Sequence, residues 1–187
     1  QELRKELGLQ EDIKYFIFVG RFSQEKNPDV LFKAFEKLQR KDVALIMLGM
    51  GNMWQSLKDR CPANIIMPGF TTRVYDYMKA SDYYISASDV EGLANTILES
   101  MSVGLPMLLS DIPSHREVLA NVKEESIGYL IDNHSPEDIR TKIDKILNIN
   151  CIEASNILQK LYNKKYTAEI MSLKYQKAYL DLMKGCI

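Results

Sequence analysis

Six short apolar runs alternate with amphipathic stretches, and that alternation leaves the chain few ways to fold. The runs cover residues 15–19, 43–48, 64–67, 83–86, 106–109 and 127–131. Most are continuous rather than alternating, as in strands whose two faces are both covered. Helical spacing fills the intervals. Pro28 stands at a helix start, and Val30, Leu31, Ala34, Phe35 and Leu38 follow on one face. Further helices are predicted over 52–60, 74–79, 94–103 and 114–119. Ser135-Pro136-Glu137-Asp138 is a start signal, with a Ser cap, Pro at the first position and acids in the first turn. Its helix is predicted to end near Ile149, and 152–163 and 167–184 read as more helix. The expected fold class is α/β: a doubly wound, parallel, six-stranded Rossmann-like sheet with helices on both faces and a C-terminal helical tail. Ligands of such sheets sit at the carboxyl ends of the strands.

The 187 residues suffice for one well-filled core. A net charge of −1 and a pI near 6.2 give no electrostatic footprint for nucleic acid. No apolar run approaches the roughly 20 residues that span a bilayer. The opening QELRKELGLQED is polar and helical rather than a signal peptide, and a start without Met is expected of a piece of a longer protein. Cys61, Cys151 and Cys186 lack ligand spacing and read as reduced thiols.

Glu91 and Glu99 bracket a seven-residue segment, and Glu99 is the only charged residue between Gly92 and Ser110. A carboxylate in such a run is costly to desolvate unless something hydrogen-bonds it. If Ala94 starts a helix, Asn95, Thr96 and Glu99 share a flank, and Ile97, Leu98 and Met101 form the adjoining apolar face. Glu99 would then lie about one and a half turns below the loop that carries Glu91. A ligand with phosphates at the helix N-terminus and vicinal hydroxyls at Glu99 fits this spacing. A structural acid bonded to nearby backbone is the alternative.

The other strand ends carry weaker signals. Gly20-Arg21-Phe22-Ser23-Gln24-Glu25-Lys26-Asn27-Pro28 puts two cations around a turn just before a helix start, which suits an anion or else is a solvated loop. Gly49-Met50-Gly51 is a broken dinucleotide fingerprint, best read as a tight turn with one backbone amide near a ligand. Phe70-Thr71-Thr72-Arg73 offers an aromatic and exposed backbone to a nucleobase, or is an ordinary turn. His115 reads as a helix-start surface residue and His134 as a turn residue. Arg116, Glu117 and Lys123-Glu124-Glu125 read as solvated surface.

Taken in order, Gly20-Arg21, Glu25-Lys26, Leu48-Gly49-x-Gly51, Gly69-Phe70, Glu91-Gly92-Leu93 with Glu99, Gly104-Leu105-Pro106 and Glu117 resemble the large retaining glycosyltransferase family called group 1, or family 4. The resemblance covers roughly residues 1 to 150 and points to the C-terminal, donor-binding half of a GT-B fold. Leu93-Ala94 departs from the commoner Phe-Gly pair.

The resemblance implies transfer of a sugar, with retention, from a nucleotide-diphosphate sugar to a glycan or lipid-linked acceptor. A UDP-sugar is the expected donor. Arg21 and Lys26 would bind the diphosphate, and Glu91 would contact the transferred sugar; these three are the expected catalytic residues. Gly20, Gly49, Gly92, Leu93, Asn95 and Thr96 would line sugar and phosphate, Glu99 the ribose, and Phe70 and Arg73 the base. No metal or other cofactor is expected. Residues 1–165 would form the donor-binding domain. Residues 166–187 would cross to an N-terminal acceptor-binding domain that this sequence lacks. The expected location is cytoplasmic, with any attachment to the inner face of the membrane made by that missing half. A sugar-nucleotide epimerase, a non-catalytic nucleotide-sugar-binding module and a dinucleotide-binding domain are the competing readings.

Overall fold

The computed structural model describes residues 1–92, 94–120 and 126–184. A short helix α1 (Glu2–Glu6) precedes strand β1 (Lys14–Val19). Then follow α2 (Pro28–Glu36), β2 (Val43–Leu48), α3 (Trp54–Lys58), β3 (Ile65–Gly69), α4 (Val74–Ala80) and β4 (Tyr83–Ser86). The second half continues with α5 (Asn95–Val103), β5 (Met107–Ser110), α6 (Pro113–Leu119), β6 (Gly128–Ile131), α7 (Pro136–Ile146), α8 (Cys151–Lys165) and α9 (Ala168–Lys184). All six strands are parallel, in the order β3-β2-β1-β4-β5-β6. This is the doubly wound order, and its reversal point lies between β1 and β4.

The two faces of β1 show why the apolar runs are continuous. Phe16 and Phe18 point into one layer with Leu31 and Phe35 of α2 and Ile139 and Ile143 of α7. Tyr15 and Ile17 point into the other, with Met78 of α4, Ile97 and Met101 of α5, and Leu158 of α8. Successive strand residues face opposite ways, so a strand covered twice must be apolar throughout. Each such side chain contributes about 1.5–3 kcal/mol on burial.

Element ends depart from expectation by one to three residues, the largest difference being at α7, which ends at Ile146 rather than near Ile149. β3 runs on through Pro68 to Gly69. It is an edge strand, where Pro gives up no needed ladder donor. α3 is shorter than the predicted 52–60, because Asn52 and Met53 form a turn. The start of α7 is as read: the Ser135 hydroxyl accepts from the Asp138 N–H at 3.1 Å, with Pro136 in the first turn. Asn150 caps α8 in the same way, accepting from the Glu153 N–H at 3.3 Å.

A dense charge cluster lies at the amino ends of the strands. Asp82 takes Arg4 at 2.6 Å, Lys14 at 3.1 Å and the Tyr15 N–H at 2.9 Å. Arg4 also donates to the Ala80 carbonyl at 2.8 Å. These bonds tie α1 beneath β1 and β4, at the end of the sheet away from the expected ligand crevice.

Candidate functional site

The carboxyl ends of the strands are laced together by backbone. The Gly20 N–H donates to Leu48, the Phe22 N–H to Met50, and the Gly49 N–H to Gly69, each at 3.0 Å. Gly49 and Gly51 permit this approach. A Cβ on Gly49 would drive into the Gly20 carbonyl, and one on Gly51 would lie 2.7 Å from the Phe22 carbonyl carbon. Gly49 also holds a φ of +129°, which side-chain-bearing residues avoid. The glycine pair therefore serves close packing between the first two strand-end loops, and no third glycine is needed for it.

The loop after β1 is clasped to the loop after β4, across the reversal point. The Asp89 N–H donates to the Glu25 carbonyl at 2.9 Å. Asn27, in the left-handed region at φ 48°, donates its side-chain amide to the Ala87 carbonyl at 2.9 Å and to Asp89 at 2.6 Å. Asn133, beyond β6, reaches the same Asp89 oxygen at 2.6 Å, and His134 lies 3.1 Å from it in a turn, as expected.

Within this clasp Lys26 pairs with Glu91 through Oε1. The Ser88 hydroxyl donates to that oxygen at 2.8 Å. Among the described residues no donor reaches Glu91 Oε2. Both side chains of the pair are largely covered, which strengthens their attraction relative to a surface pair. Arg21, on the same loop, is exposed and makes no ion pair among the described residues. Among the described residues the crevice thus holds Lys26, committed to Glu91, Arg21 without an ion pair, and a carboxylate whose Oε2 meets no donor.

α5 starts beside this pair. Its cap is Ala94, which has no side-chain acceptor, and its first turn has no acid. The first N–H groups of a helix lack internal partners and carry the positive end of the helix dipole. Thr96 is held at 2.9 Å by the hydroxyl of buried Tyr84, whose pKa burial pushes well above the usual range. Asn95 and Glu99 are exposed on the outer flank and Ile97 and Met101 are buried, as the periodicity requires. Partial burial raises the Glu99 carboxyl above its ordinary value. Among the described residues no group donates to its carboxylate.

The remaining expected residues divide. Gly20, Gly49, Gly92, Asn95 and Thr96 lie at the strand ends or the α5 start. Phe70 follows β3 and is 77% exposed. Arg73 is engaged elsewhere: Glu6 holds it at 2.7 Å and Asp76 at 2.8 Å. Leu93, and with it Lys123-Glu124-Glu125 and Cys186, lies outside the described residues.

The sequence model of the family described as "Glycosyl transferases group 1" matches residues 1–165. The chain belongs to that family. Among relatives of this group 1 family member, an uncharacterised glycosyltransferase of Methanocaldococcus jannaschii is 28% identical over 78% of this chain and 38% of its own length. The Escherichia coli UDP-Gal:alpha-D-GlcNAc-diphosphoundecaprenol alpha-1,3-galactosyltransferase is 29% identical over 79% of this chain and 42% of its own. The chain thus spans about two fifths of the length of these curated relatives. The pneumococcal O-GlcNAc transferase GtfA, solved with UDP and GlcNAc, superposes with a TM-score of 0.75 at 20% identity, over 92% of this chain and 36% of that one. That likeness establishes the shared fold.

His115 corrects the sequence reading. It is fully buried, not at the surface, and burial lowers its pKa. With Ser86, Ser88 and Ser110 it forms a polar seam under Glu91 that sequence reasoning missed. The available signal was serine at the carboxyl ends of two adjacent buried strands, β4 and β5.

Proposed function

We propose that this chain is the donor-binding half of a retaining glycosyltransferase. It would bind a nucleotide-diphosphate sugar, with UDP as the nucleotide, for transfer to a glycan or lipid-linked acceptor. The carrying observation is the convergence of Lys26, Glu91 and the uncapped start of α5 at the reversal point of the sheet. The UDP-sugar named for the E. coli relative and the UDP in the pneumococcal structure support the choice of nucleotide.

In this reading the diphosphate meets the α5 amides, and Arg21 and Lys26 stabilise charge that grows on the leaving phosphate. Glu91, oriented by Ser88, accepts from a hydroxyl of the transferred sugar through its open Oε2. Glu99 accepts from the ribose, and Phe70 lies against the base. The leaving diphosphate assists the incoming hydroxyl, so this half supplies no separate base, and no step passes through a metal. The acceptor wall belongs to an N-terminal domain, and any contact with the inner face of the membrane is assigned to that domain.

The test is Glu99→Gln with UDP and 2′-deoxy-UDP. A carboxylate accepts from both vicinal hydroxyls with charge-assisted strength, and the amide keeps the shape but loses the charge and one acceptor. Calorimetry should show a marked loss for UDP and a much smaller one for the deoxy form. Equal losses for the two ligands would reject the ribose role. No binding of UDP by the unmodified chain would reject the whole reading.

A further inference from the structure

The seam beneath Glu91 has a direction that the donors fix. Ser110 has one hydroxyl hydrogen, and it goes to the Ser88 carbonyl at 2.6 Å. Toward His115 Nδ1, 3.0 Å away, Ser110 Oγ can then only accept. The Ser110 carbonyl, 3.1 Å from the same nitrogen, can also only accept. Nδ1 therefore carries the proton, and in the neutral ring Nε2 is a bare acceptor. Nε2 is buried and meets no hydrogen-bond partner among the described residues. Burial lowers the basicity of the ring, in keeping with this neutral form. The same logic continues upward. Ser88 spends its hydrogen on Glu91 Oε1 at 2.8 Å, so Ser86, 3.2 Å from Ser88 Oγ, donates to it. Every hydrogen in the row from His115 to Glu91 points the same way.

We propose that His115, as the Nδ1–H tautomer, is a positioning residue for Glu91. It keeps the Ser110 hydroxyl aimed at the Ser88 carbonyl, and so holds the loop from which Ser88 orients the carboxylate. In the opposite tautomer Nδ1 would be an acceptor. It would draw the Ser110 hydrogen to itself, and the Ser88 carbonyl would lose its donor. The inference rests on the donor-site reading above, because the quantity it controls is the grip of Glu91 on the transferred sugar. His115 is buried beneath the site, and its effect passes through two serines.

Two measurements test this. The first is nitrogen-15 NMR of the imidazoles. The chain has only two histidines, so the signals lost in His115→Leu belong to His115. They should show a protonated Nδ1 and an unprotonated Nε2; the reverse pattern would overturn the inference without touching the donor reading. The second compares UDP with whichever of UDP-glucose, UDP-galactose and UDP-N-acetylglucosamine binds most tightly. His115→Leu removes the Nδ1–H that faces the two Ser110 oxygens, and Ser110→Ala removes the donor to the Ser88 carbonyl; each should weaken the UDP-sugar about threefold to tenfold. UDP alone should lose clearly less than the UDP-sugar, since it lacks the sugar hydroxyl that Glu91 would receive and meets this row only through Lys26, which stays paired with Glu91. His115→Asn, whose amide restores a donor near Nδ1, should recover most of the loss. Unchanged UDP-sugar binding in His115→Leu, equal losses for UDP and UDP-sugar, or failure of Asn to rescue would each overturn the positioning role. If the unmodified chain bound neither UDP nor any of the sugars, the donor reading would fall and the inference with it.

Discussion

Arg21 and Lys26 share a loop but differ in what they must give up for a ligand. Lys26 is already paired with Glu91, so a bound diphosphate must share it. Arg21 is exposed and makes no ion pair among the described residues, so its full donor capacity is open. Arg21→Ala should therefore weaken UDP binding by about tenfold to a hundredfold, the worth of a charge-assisted hydrogen bond of roughly 1.5–3 kcal/mol. Calorimetry measures this directly, and unchanged affinity would make Arg21 an ordinary solvated loop charge. Lys26→Ala adds a second effect, because it strands a largely covered Glu91. Its loss will mix binding with loop disorder, which makes Arg21 the cleaner probe.

At the scale of elements, the glycine turn after β2 is the sharpest structural commitment. Gly49→Ala would push a methyl into the Gly20 carbonyl and strain a backbone at φ +129°. Overpacking and strain together should cost about 2 kcal/mol or more. Gly92→Ala is the matched comparison, since a Cβ there meets no atom of the described residues within 4 Å. Urea unfolding of the two variants should separate them clearly; equal stability would contradict the described packing of the strand-end loops. The strands were legible because coverage on both faces leaves one-dimensional traces, as in Phe16-Ile17-Phe18. The α5 flank was legible because helical period maps sequence onto face. Gly49 and Gly51 were legible only as a turn. The partner that demands them, the Gly20–Phe22 backbone, is about 30 residues away in sequence and adjacent only in the fold. His115 was missed for another reason. Its partner Ser110 lies only five residues away, but the spacing around Pro113 marks a helix start and does not show which of its residues turns inward.

At the scale of the molecule, α9 stands apart. None of its described residues is buried, and Leu173, Tyr175, Tyr179, Leu180, Leu182 and Met183 are each more than half exposed. A cavity of about 350 Å³ lies at its start, lined by Leu98, Tyr166, Met171 and Tyr175 and by none of the expected site residues. We propose that the tail from Tyr166 onward crosses to the acceptor-binding domain of the longer protein, while α8, with Ala154, Leu158 and Leu161 buried, closes the donor domain. Hydrogen exchange on this chain should then be fast over α9 and slow over the strands and α8. Protection of α9 equal to that of the strands would place its packing partner within this domain. The clasp around Asp89 has a consequence of another kind. Asn27, Asn133 and the Glu25 carbonyl fasten three loops to one another through Asp89. Fixing a residue's backbone costs roughly 1–2 kcal/mol of conformational entropy. Here that loss is incurred once, when the chain folds, for the residues these bonds hold, and the proposed nucleotide would meet them already ordered.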